Sequence, residues 1–168
     1  MSAPHQTYYL ACIGQWRCAF GGHVHDFGEL RAAIGFFNAL GLLWIALLPG
    51  TRLNTSVSRK SPMVFIHTTR VSWLGFPLIW SREELALNDD GQSLELTSTV
   101  RSMPLPLAQN AGGPGRIADD ALSATYEIEI YGARMRQNTQ RSDDQVILEQ
   151  TLPGYGAKHP LQRVVVPS

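Results

Sequence analysis

From residue 51 onward, apolar and polar positions alternate in short runs. Tyr126, Ile128 and Ile130 are interleaved with Glu127 and Glu129, and Leu94, Leu96, Ser98 and Val100 with Glu95, Thr97, Thr99 and Arg101. A period of two places each set on one face of an extended strand. Alternating or β-branched runs recur at 53–58, 63–73, 78–87, 93–103, 124–131, 135–141, 145–151 and 161–166. The first segment, 6–20, carries Tyr8, Tyr9, Leu10, Ile13, Trp16 and Phe20, and reads as one strand or as two with a kink at Gly14. The total is about nine or ten strands. Asn88-Asp89-Asp90-Gly91 and Ser142-Asp143-Asp144 supply turn chemistry between strands, with Asp119-Asp120 as a further turn. The stretch 107–116, with Gly112-Gly113-Pro114-Gly115, reads as a mobile loop.

One segment has a different character. Residues 28–48 are rich in Ala and Leu, with Asp26 placed as an N-cap and Pro49-Gly50 as a stop, so the pattern predicts one helix. Over 32–48 this helix is apolar on nearly every side and must be covered all round. It approaches the minimum length for a bilayer crossing. Asn38, two glycines and the lack of flanking belts beyond Arg31 and Arg52 favour a buried or surface-docked helix instead.

An internal echo organises the β region. Trp73-Leu74-Gly75-Phe76-Pro77-Leu78 is followed 57 positions later by Ile130-Tyr131-Gly132-Ala133-Arg134-Met135, each with a glycine between two strands. Leu94-Glu95-Leu96-Thr97 is matched by Leu148-Glu149-Gln150-Thr151 at an offset of 54. A three-strand meander used twice implies short hairpins throughout, the connectivity of an up-and-down barrel. The expected fold is therefore mainly β, with residues 1–168 forming one antiparallel barrel and the apolar helix inserted between the first and second strands.

The faces also suggest what the barrel holds. Leu78, Trp80 and Arg82 share one face, as do Met135, Gln137 and Thr139, and Val146, Leu148 and Gln150. If the apolar member of each set marks the inside, then Arg82, Ser98, Gln137, Thr139 and Gln150 are inward polar groups. A dry core tolerates such groups badly, whereas a partly hydrated cavity accommodates them.

Composition narrows the classes of function. The chain has 14 basic and 14 acidic residues, so no long-range field favours nucleic acid or anionic lipid. Apolar residues make up 44% and charged ones only 17%, as expected if a cavity or a membrane-facing patch is hidden as well as a core. Cys12 and Cys18, roughly 20 Å apart along an extended segment, cannot pair without a sharp bend. They read as buried thiols in a reducing compartment. Residues 1–7 lack a basic start followed by an apolar core, so a cytoplasmic location, peripheral to membrane at most, is expected.

Motifs for chemistry are few. His23-Val24-His25-Asp26 resembles half of a metal site, but spacing places no third ligand and the cluster reads as a polar turn. No nucleophile elbow, phosphate loop, dinucleotide fingerprint or Cys-x-x-Cys is present. Glu83 and Glu84 face opposite sides of a strand, and Trp16, Trp44, Trp73 and Trp80 read as core residues.

A β-barrel with a helical excursion near its start resembles the intracellular fatty-acid-binding proteins. That resemblance implies a ligand carboxylate held by an inward Arg and Tyr, with Arg82 and Tyr126 the counterparts here. Gly14-Gln15-Trp16 is similar to the Gly-x-Trp that opens lipocalin-type (calycin) barrels, implying that Trp16 closes one end. Haem-binding barrels of the nitrobindin type share this opening and use a His near the C-terminus, where His159 lies. Arg17-Cys18-Ala19-Phe20 replaces their longer glycine pattern, so haem is the alternative and no cofactor the expectation. The expected function is non-catalytic binding or transport of a small hydrophobic ligand, lipid or fatty-acid-like, contacted by Trp80, Arg82, Ser98, Tyr126, Gln137, Thr139 and Gln150. The helix covers the mouth and contacts a membrane transiently, and no nucleic acid is involved. The alternatives are a membrane-attached interaction domain and a small isomerase or cyclase with an apolar pocket.

Overall fold

The structure is a computed structural model and describes residues 3–102 and 108–165. Helix α1 (Pro4–Cys12) precedes strands β1 (Gly14–Ala19) and β2 (Gly22–Val24), and helices α2 (Phe27–Ile34) and α3 (Phe36–Leu47) follow. The remaining strands are β3 (Arg52–Ser61), β4 (Val64–Trp73), β5 (Phe76–Leu87), β6 (Ser93–Ser102), β7 (Ala108–Ile117), β8 (Ser123–Ile130), β9 (Ala133–Arg141), β10 (Gln145–Leu152) and β11 (Tyr155–Arg163). From β3 to β11 each strand pairs with the next, and β1 bridges β3 and β11, through Trp16 opposite Thr55 and Arg163. Ten strands thus close a mainly β, antiparallel barrel, and closure leaves its long strands without free edges. β2 is an eleventh strand, laid on β11 where β1 no longer reaches it.

The echoed segments are two equivalent hairpins. Leu74 and Gly75 joining β4 to β5, and Tyr131 and Gly132 joining β8 to β9, all have positive φ, from 47° to 87°. Two successive residues in this region match the right-handed twist of the flanking strands. At the opposite end, Asn88–Gln92 and Ala118–Leu122 form a second matched pair of turns. In each, an Asp carboxylate accepts a backbone N–H two residues on, from Gln92 and from Leu122.

Several sequence expectations need correction. Residues 4–12 are helical rather than extended, with Pro4 at the first helical turn and His5, Tyr8, Tyr9 and Cys12 buried. Those four positions follow the i, i+3, i+4, i+7 spacing of a helix face. Cys12 therefore lies on a helix and Cys18 on a strand, and both thiols are free. The apolar helix is two helices, broken where Gly35 takes φ 83° and ψ 160°, and the excursion follows β2 rather than the first strand. Asp26 caps α2 by accepting the Glu29 N–H at 2.9 Å. Among the described residues no helix is long and apolar enough to cross a membrane. The 12 residues of α3 extend about 18 Å at 1.5 Å per residue, against a hydrocarbon core of about 30 Å.

The expected loop at 107–116 is strand β7, apart from Leu107, which lies outside the described residues with Met103; so does Val166, at the end of another expected run. Its glycines serve close strand packing. A Cβ on Gly112 would sit 2.6 Å from the Leu96 carbonyl oxygen, and one on Gly113 2.0 Å from that of Glu127. Gly113→Ala is therefore expected to force β7 and β8 apart and cost on the order of 1–3 kcal/mol, readable in the urea midpoint.

The two ends of the barrel differ. α1 lies at the end that carries the acidic turns, where the His5 N–H donates to Gly91 O and the ring bonds Asn88 O at 2.7 Å. α2 and α3 lie at the other, with the N–H groups of His25 and Asp26 both donating to Gly154 O in the β10–β11 turn. The Trp73 indole N–H donates to Pro49 O, tying the end of α3 to the β4–β5 hairpin.

Candidate functional site

Beneath α1 the barrel encloses a cavity of about 50 Å³, walled by Leu85, Leu96, Val146, Leu148 and Leu161 and by polar groups from six elements. Its most organised feature is a chain of three side chains on adjacent strands. Glu83 (β5) bonds His67 Nδ1 (β4) at 2.7 Å, and His67 Nε2 bonds the Thr55 hydroxyl (β3). The register explains the chain, because Glu83 stands directly opposite His67, while Thr55 stands opposite Thr69, one inward position along β4.

With neutral His67, Nδ1–H donates to Glu83 and Nε2 accepts from Thr55. With protonated His67, Nε2–H donates to Thr55 Oγ1, and the hydroxyl turns to the Thr68 carbonyl at 3.1 Å. Rotation of one hydroxyl thus keeps the Glu83–His67 and His67–Thr55 bonds made in both states, with the Thr68 carbonyl bonded only in the second. Such an arrangement can orient an imidazole toward a ligand or pass a proton.

α1 supplies the cavity's cover. The Tyr9 hydroxyl bonds that of Tyr126 on β8, and the Tyr8 hydroxyl bonds Thr139 on β9 at 2.5 Å. Burial drives the pKa of all three tyrosines well up, and raises the Cys12 thiol to about 11, so all four stay neutral. Trp16 lies buried below α1, its indole N–H donating to Cys12 O at 2.9 Å. Arg163, on the last strand, covers its ring at 4.4 Å and donates to the carbonyls of Ala11 and Ile13 at 2.7 and 3.1 Å. One guanidinium thus satisfies the open C-terminal end of α1 and clamps the tryptophan.

Of the residues expected to line a ligand site, Tyr126, Gln137 and Thr139 face this cavity. Gln150 reaches it through Gln137, to which it donates at 2.9 Å, and Ser98 is buried directly opposite Glu83. Trp80 and Arg82 lie on the outer surface. The cause is a bulge, since Val71 pairs with Ile79 and Ser72 with Pro77, leaving Leu78 as an extra residue. Beyond it the inner face of β5 is Ser81, Glu83 and Leu85 rather than Trp80, Arg82 and Glu84. Sequence reasoning missed Tyr8, Tyr9, Thr55, His67 and Glu83. The helical spacing of residues 5–12 and the competing phase of Leu85 and Leu87 were the available signs.

Among the described residues, three buried side-chain polar atoms find no protein partner: His5 Nδ1, Ser98 Oγ and His159 Nε2. His159 is fully buried on β11, with Nδ1 accepting the Gly21 N–H at 3.1 Å and its ring packed 5.1 Å from Phe20. Burial lowers its pKa to about 4, holding it neutral. Phe20 and the Gly21 backbone pack beside it, and it does not line the interior cavity. His23 and His25 lie on the surface with their rings 5.9 Å apart and tilted at 45°, and among the described residues no three His, Cys, Asp or Glu side chains converge as metal ligands.

No protein-family model matches the chain, and no curated protein matches it.

Proposed function

We propose that this barrel binds a small, mainly apolar molecule carrying one hydrogen-bonding group, held between α1 and the inner wall. The observation that carries the proposal is the Glu83–His67–Thr55 chain facing the Tyr9–Tyr126 pair across an apolar-walled cavity. Polar groups buried in such a place cost free energy unless they are partnered, and here the partners can rotate to serve a ligand. The barrel with two short helices near its start adds the resemblance to fatty-acid-binding proteins, whose helical excursion has that form.

Size sets the condition for binding. A cavity of about 50 Å³ accepts only a few atoms, whereas a lipid or fatty-acid-like ligand needs roughly 300 Å³ or more. Such a ligand enters as α1 swings aside and withdraws Tyr8 and Tyr9. α1 is suited to this, because nine residues are too few to persist as a helix without docking, and its N-cap residue Ala3 makes no side-chain hydrogen bond. The ligand's polar head replaces Tyr9 at Tyr126 and meets the rotatable Thr55 hydroxyl beside His67.

The test is mass spectrometry of organic extracts from the purified full chain, followed by displacement of a fluorescent apolar probe. Saturable binding weakened about two- to tenfold by Tyr126→Phe or Thr55→Val is expected, the range for loss of one neutral hydrogen bond. Absence of any saturable apolar ligand, or binding indifferent to both substitutions, removes the proposal. A second reading, an isomerase-type enzyme with His67 as general base, is favoured by the Glu83-oriented imidazole alone. Recovery of the bound compound as two interconverting isomers, abolished by His67→Gln, distinguishes it from simple binding.

A further inference from the structure

Although the net charge is zero, charge and apolar surface are segregated along the barrel axis. The turns at the α1 end expose Asp89, Asp90, Asp119, Asp120, Asp143 and Asp144 against Arg59, Lys60 and Arg116, leaving that end net acidic. At the other end, α3 contains no charged residue, and its outward face exposes Phe36, Phe37, Leu40, Trp44 and Leu47, with Phe37 and Leu47 more than 70% accessible. Leu74 and Phe76 of the β4–β5 hairpin, tied to the end of α3 through Trp73 and Pro49, extend the same apolar edge.

Below this edge lies a basic wall. Arg70, Trp80 and Arg101 stand side by side across β4, β5 and β6, with Arg52 above them and Arg82 below, all exposed. Among the described residues none of these four arginines is paired with a carboxylate. Arg70 donates to Gly75 O at 3.1 Å, which holds its guanidinium at the hairpin.

We infer that this end of the barrel docks on a phospholipid surface carrying anionic headgroups, with α3 and the hairpin entering the interface and the arginines meeting the phosphates. The inference does not rest on an interior ligand. Aromatic and aliphatic side chains insert at the headgroup level, and each nearby arginine adds electrostatic attraction to an anionic leaflet. The six aspartates at the far end orient the molecule in the same sense. A second copy fits less well, since a two-fold interface through this patch sets its own arginines against one another. Nucleic acid would leave the apolar face of α3 exposed.

Flotation of the full chain with phosphatidylcholine vesicles, with and without 30 mol% phosphatidylserine, tests the inference. Recruitment by the anionic vesicles is expected, falling about fivefold for each of Arg82→Gln and Arg101→Gln and weakening in 0.5 M salt. Phe37→Ser with Leu47→Ser should abolish it, and brominated lipid should quench wild-type tryptophan emission far more than that of Trp44→Phe. No flotation, equal binding to neutral and anionic vesicles, or variants that float like the wild type would each overturn it. So would a dimer in sedimentation equilibrium that Leu47→Ser dissolves while no vesicle is bound.

Discussion

Replacing Tyr9 by alanine is expected to lower the unfolding free energy by about 3–5 kcal/mol, the range for emptying a buried aromatic site. The ring is 3% exposed, stacks on Phe65 at 5.1 Å between centroids, and its hydroxyl partners Tyr126. Tyr9→Phe keeps the ring and leaves the Tyr126 hydroxyl unpaired, so a loss of only about 1–3 kcal/mol is expected. The two variants separate packing from hydrogen bonding. Urea unfolding measures both, and binding of a small apolar probe gives the opposite sign: Tyr9→Ala enlarges the cavity and should bind the probe more tightly than the wild type. Equal stability of Tyr9→Ala and wild type would mean that α1 is not docked.

Acidification should destabilise the fold through His159. Its pKa is lowered by burial to about 4 in the folded chain, against about 6.5 for an open imidazole. The neutral ring is the form the fold accepts, so its contribution is complete above about pH 6.5 and is lost as pH falls toward about 4. The unfolded chain binds one more proton across that window, giving a slope of about 1.4 kcal/mol per pH unit and a total on the order of 3 kcal/mol. His159→Gln retains an acceptor for the Gly21 N–H but cannot titrate. The difference in stability between wild type and His159→Gln, followed from pH 7.5 to pH 4, should fall with decreasing pH. A difference independent of pH would show that His159 charges freely in the folded state.

Much of the architecture could be read from the chain. Alternation in Leu94–Val100 and Tyr126–Ile130 placed the inner faces of β6 and β8, and the Leu74-Gly75 and Tyr131-Gly132 echo marked two equivalent hairpins. Errors arose where local pattern is ambiguous. Residues 5–12 contain Tyr8 and Tyr9, which favour strand by type but helix by spacing, and docking over the barrel end decides between them. The glycines of β7 suggest a loop by composition, yet they are required where neighbouring backbones and the Tyr126 ring approach too closely for a Cβ. Alternation from Leu78 predicts Trp80 and Arg82 inward, and a bulge at Leu78 that no alternation reveals turns them outward.

The sequence by itself determined the periodicity, the turns and hence the antiparallel meander, because these depend on neighbours only a few residues apart. Tertiary structure alone decided which groups share the interior. Thr55, His67 and Glu83 meet only through the register of β3, β4 and β5, and Tyr9 meets Tyr126 only because α1 docks over the barrel end. A net charge of zero likewise concealed an acidic end and an apolar, arginine-rimmed one. Composition sums charges, whereas a folded surface separates them in space.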